Sequence, residues 1–168
     1  MRFLLRFLLA ALVLFGAWKA GFWKLYARLV LWFAGGTTAL LTGFDLERTA
    51  SREAFSAVFV RGAERYRLPL DLEHTLAGVV AYAALVLATA RGAGSRRVLF
   101  RGLLGLPFVL ATQVLVVAFL PWMVTEHAWW VSRALDVVYV FTVLAGLGAF
   151  PFFLWMIWIS PAGTEPAG

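Results

Sequence analysis

Residues 3–23 read FLLRFLLAALVLFGAWKAGFW, a stretch interrupted only by Arg6 and Lys19. Crossing the hydrocarbon core of a bilayer as a helix takes about 20 mostly apolar residues, and this stretch has that length. It places the chain in a membrane. Further apolar runs at 74–90, 98–120 and 134–159 repeat the pattern. The expected fold is an all-α transmembrane bundle of four spans, one domain covering 1–168.

Composition points the same way. The 168 residues are 62% hydrophobic and 14% charged, far from the balance of an ordinary soluble domain. The chain has no cysteine, which excludes disulfides, thiolate metal sites and a cysteine nucleophile. A formal charge of +6 would suit nucleic acid on a solvated basic domain, but no such domain exists, so no nucleic-acid partner is expected. In a membrane protein the same charge lies on the cytoplasmic side against the lipid bilayer. Arg2 and Arg6 precede the first apolar run as in a signal peptide. The obvious cleavage point after Ala20 has the bulky Trp18 at −3, however, which predicts an uncleaved signal-anchor.

Orientation follows from the arginines. The segment RGAGSRRVLFR, 91–101, carries Arg91, Arg96, Arg97 and Arg101 without an acid, the mark of a cytoplasmic loop. The N-terminus, with Arg2 and Arg6, belongs on the same side. Both assignments hold only if 1–43 crosses the membrane an odd number of times. KLYARLVLWFAGGTTALLTG, 24–43, is apolar enough to be a fifth span. Its polar residues Lys24, Arg28, Gly35, Thr38 and Thr42 recur near the helical period, which instead suits a helix lying in the outer interface. Both readings stay open at this point.

Residues 44–73 form the soluble segment, with acids and bases nearly balanced. SAVFVRG reads as a strand, YRLPL alternates Tyr66, Leu68 and Leu70 against Arg67 and Pro69, and Gly62 offers the turn. A small extracytoplasmic β-hairpin is predicted, with Pro69 confined to an edge.

Polar groups at membrane depth are costly unless paired, and they mark candidate function. Gln113 falls near the middle of its run and needs a hydrogen-bond partner. Asp136 lies three residues after Arg133, the spacing of an ion pair. Glu73 and His74 precede the 74–90 run, while Glu126 and His127 sit in the 121–133 loop. Two such His–acid pairs invite a metal or acid–base reading, but nothing in their spacing makes them converge. No serine stands in a nucleophile context and GAGS at 92–95 lacks the rest of a phosphate loop. No catalytic residue, cofactor or metal site is therefore expected. Glu73, His74, Gln113, Glu126, His127, Arg133 and Asp136 are the candidate functional polar residues.

The chain also carries MRFLLRFLLAALVLFGAW, ARLVLWFAGGTTALLTGFDLE, SAVFVRGAERYRLPLDL and VVAYAALVLATARGAGSRRVLFRGLLGLPFVL. In this layout it resembles the exosortase/archaeosortase membrane families, and most of all the small exosortase-associated membrane proteins. Exosortases cut sorting signals at the outer face with a membrane-embedded Cys, Arg and His. Here LEHTLAG occupies the region where the cysteine would fall, and ATQVLVV offers Gln113 with no arginine following. His127 lies loosely where a histidine could fall. The resemblance thus implies an accessory role without the transpeptidase chemistry. The function expected is a non-catalytic accessory protein of the bacterial inner membrane in envelope protein sorting or export. Its hairpin would dock a membrane-protein partner, an exosortase-like enzyme or that enzyme's substrate. The alternative is a small transporter or lipid-handling subunit lined by the 24–43 stripe, Gln113 and Asp136.

Overall fold

A computed structural model describes residues 2–50, 55–68, 72–90, 94–124 and 150–159. It is mostly helical, with one small sheet. Helix α1 covers Arg2–Ala17, a wide π-type turn follows at Trp18–Phe22, and α2 runs Trp23–Thr42. The run read as a single span to Trp23 is therefore interrupted. Gly21 inside the turn has φ +114°, a backbone state only glycine adopts freely, and it redirects the chain from α1 into α2. Taken through this break, Arg2–Thr42 is long and apolar enough to cross a membrane, as is Ser95–Pro121 within α5, Ser95–Val124. Four spans thus reduce to two candidates by length among the described residues.

The 74–90 run is shorter as a helix than the sequence implied. It divides into α3, Leu72–Thr75, and α4, Gly78–Thr89. At the division the Val80 amide bonds the Ala77 carbonyl at 2.9 Å and the Val79 amide bonds that of Leu76 at 3.3 Å. These tighter three-residue closures leave the Leu76 carbonyl without its usual helical donor. Of the 134–159 run, the structure describes α6, Phe150–Leu154, and a π-type turn at Trp155–Ile159.

The expected hairpin is present and is part of a larger sheet. Strands β2, Phe55–Arg61, and β3, Glu64–Leu68, pair antiparallel around Gly62 and Ala63. Gly62 has φ +61° and no described non-glycine residue has positive φ, the pattern of a Gly-X type II′ turn. Strand β1, Asp45–Ala50, adds antiparallel to the other side of β2, giving the order β1-β2-β3. Its charged DLER start hid it from an apolar-pattern reading. Strand β3 ends at Leu68; Pro69 lies outside the described residues. Leu46, Phe59 and Tyr66 stand in register across the three strands. With the buried Phe44, this row packs onto α2 and α5.

Side-chain contacts define two ends of the bundle. At one, the Phe3 ring stacks on Trp155 with centroids 5.7 Å apart, and Trp155 Nε1 donates to Thr89 Oγ1 at 2.7 Å. Arg101 Nη1 donates to the Trp158 carbonyl nearby at 3.4 Å. At the other end, Trp18 Nε1 donates to the Glu73 carbonyl at 3.1 Å. Helices α1 and α4 consequently run antiparallel. The start of the chain and the start of α5 share one end, here termed the arginine end, and the α1–α2 joint occupies the other.

Two apolar clusters follow this division. Tyr82, Val86, Val98, Val109 and Ile159 fill the arginine half. Ala27, Val30, Leu31 and Ala34 of α2 join Val114, Val117, Leu120, Phe44, Phe59 and Trp18 in the other. Helix α2 thus stays with the joint half and does not return to the arginine end. No residue of α1 is buried: Leu4, Leu5, Leu8, Leu9, Leu12 and Val13 are all more than half exposed. Such a continuous apolar surface marks a face that meets lipid or another protein.

Candidate functional site

The polar chemistry of the described interior gathers at the joint. Gln113, on α5, is 2% exposed and sits opposite the division between α3 and α4. Its Nε2 donates to the Leu76 carbonyl at 3.2 Å, a second donor beside the Val79 amide in place of the usual fourth-residue amide. Its Oε1 accepts from the Tyr26 hydroxyl at 2.6 Å. A single amide therefore ties α2, α4 and α5 together. An amide moved from water into an apolar setting costs roughly 1–3 kcal/mol in proteins unless bonded, and here both of its ends are bonded.

Around this amide the joint is closed by aromatic and charged groups. Trp18 is buried, with its indole bonded to the Glu73 carbonyl and its ring 5.9 Å from that of Tyr26. Lys19 Nζ pairs with Glu73 Oε1 at 2.5 Å, with both side chains in part exposed. Glu73 thus serves through its backbone and its carboxylate at once. Pairs of this kind stabilise by about 0–1 kcal/mol, so Glu73 orients the joint more than it holds it.

Helix α2 presents three faces. Ala27, Val30, Leu31, Ala34 and Thr38 are buried. Leu25, Leu29, Trp32, Phe33 and Leu40 form an exposed apolar face. Lys24 and Arg28 lie exposed between them, with Gly35 and Thr42 on the same line. The stripe read from sequence holds for Lys24, Arg28, Gly35 and Thr42, while Thr38 turns into the core. Its hydroxyl is buried without a hydrogen-bond partner among the described residues.

Of the candidates named from sequence, the structure brings Glu73 and Gln113 to one joint, two residues of chain separating Glu73 from Leu76, whose carbonyl Gln113 engages. His74 lies in α3 beside Glu73. Glu126, His127, Arg133 and Asp136 lie outside the described residues, as does the 121–133 loop beyond Val124. Among the described residues no group of three metal-ligating side chains converges. Sequence reasoning missed Trp18 and Tyr26 as members of the site. The available signal was chemical: an indole N–H or a phenol inside an apolar helix needs a partner.

No family model matches the chain, and neither curated proteins nor solved structures match it. The joint and the sheet above it carry the functional reading.

Proposed function

We propose that the protein is a membrane-embedded accessory subunit that docks a partner through its three-stranded sheet, in an envelope protein sorting or export system of the kind the sequence resemblance implies. The observation that carries this is the seating of the sheet. Its inner row, Leu46, Phe59 and Tyr66, is anchored on the bundle, while among the described residues β3 has strand pairing on one side only. An anchored sheet with an edge strand is a ready template for an added strand. The edge is also charged. Arg65 on β3 is exposed and only loosely paired, at 3.8 Å, with Glu47, so a partner strand with an acid opposite it is favoured.

The transport alternative would need the polar residues to line a path. Gln113 is instead fully engaged by Tyr26 and Leu76, which supports the docking reading over it.

The turn geometry supplies a selective test. Arg61 and Glu64 close the two-residue loop, which makes them the hydrogen-bonded pair of the narrow hairpin and turns the Arg65 amide away from β2. Arg65→Pro therefore removes an edge donor and leaves the β2–β3 ladder intact. A tagged full-length chain should recover its partner from native membranes, Arg65→Lys should retain most of that recovery, and Arg65→Pro should lose at least about tenfold. Equal recovery with Arg65→Pro would refute edge docking.

A further inference from the structure

The basic pair on α2 is left unused by partner docking. We propose that Lys24 and Arg28 clamp the phosphate of an anionic phospholipid headgroup beside the α1–α2 joint. Lys24 follows the Gly21 break by three residues, and Tyr26 between the two cations is fixed to Gln113. Both positive charges are thus held at the joint, away from the arginine end. The arginine loop accounts for basic residues at its own end and gives no reason for this pair.

Four observations identify the ligand. Lys19 at the same joint is met by Glu73, whereas among the described residues Lys24 and Arg28 form no ion pair. Spaced i, i+4, their Cβ atoms stand about 5–6 Å apart on one line, close enough for both side chains to converge on one phosphodiester, where charge-assisted bonds are strongest. The neighbouring face of α2 exposes Leu25, Leu29, Trp32 and Phe33, a surface for acyl chains beside a headgroup held by the cations. The Lys24 ammonium also lies 5.9 Å from the Trp23 ring centroid, the aromatic–cation arrangement of a membrane boundary. A soluble phosphate would use the cations and leave the apolar face without a role. A lipid uses both.

The test is photocrosslinking of the full-length chain in nanodiscs of phosphatidylcholine containing a headgroup-photoreactive phosphatidylglycerol, with adducts mapped by peptide. Mapping separates this site from the arginine end. The expected result is an adduct within 22–33 several-fold stronger than with a photoreactive phosphatidylcholine. It should fall about tenfold in Lys24→Ala/Arg28→Ala and survive in Lys24→Arg/Arg28→Lys, which keeps the charge and the fold. Equal adducts from the two headgroups, an adduct unchanged in the alanine pair, loss in the charge-keeping pair, or crosslinking of 22–33 to a second copy of the chain would overturn the proposal. So would competition by millimolar inorganic phosphate.

Discussion

Gln113 is an amide inside an apolar bundle, and its two bonds run to a phenol 87 residues away and to a backbone carbonyl. Its cost was legible in the sequence, because an amide in the middle of an apolar run must find a partner. The partners were not, since Leu76 contributes a main-chain atom and Tyr26 sits in a run whose polar signal came from Lys24 and Arg28. This geometry makes Gln113 a structural clamp. Gln113→Leu strands the Tyr26 hydroxyl and leaves the Leu76 carbonyl with the Val79 amide alone; it should destabilise the bundle by about 2 kcal/mol, while Tyr26→Phe should cost about 1 kcal/mol. In a double-mutant cycle followed by reversible unfolding in mixed micelles, the two changes should couple by about 1 kcal/mol. Additive effects would remove the bond from the account. A transport role predicts the opposite pattern, with stability retained and flux lost.

At the scale of elements, α5 meets α4 through glycine. A Cβ at Gly105 would collide with the Tyr82 hydroxyl, and one at Gly102 with the Val86 side chain. Tyr82 in turn donates to the Gly102 carbonyl at 3.2 Å. Small residues let helices approach closely in lipid, and here they form a seat for one aromatic ring. Gly105→Ala should destabilise by about 1–3 kcal/mol through overpacking, and Tyr82→Ala should relieve much of that penalty when combined with it. Thermal unfolding of the single and double variants checks this; a neutral Gly105→Ala would show that the helices are not in close contact. The hairpin was legible because Val58, Phe59 and Val60 flank a glycine turn with β-forming residues. Strand β1 was not, since Asp45, Glu47 and Arg48 read as loop. The division at Leu76–Ala77 was likewise invisible, because hydropathy reports side chains and the break lies in the backbone hydrogen bonds.

For the whole molecule, the arginine count required the N-terminus and the 91–101 loop to share a side. The contacts of Phe3, Thr89, Arg101 and Trp155 place the ends of their helices together. Helix α2 packs with the joint half of the bundle. Which face of the membrane receives the sheet decides the proposed role, because an envelope partner can reach it only from outside. The natural absence of cysteine makes the direct measurement clean. Ala63→Cys at the hairpin tip and Ser95→Cys at the start of α5 are each introduced singly and treated in intact cells with a membrane-impermeant maleimide. Labelling of Ala63→Cys in intact cells, with Ser95→Cys labelled only after permeabilisation, is the result predicted. Labelling of Ser95→Cys alone in intact cells would put the sheet in the cytoplasm and contradict the account.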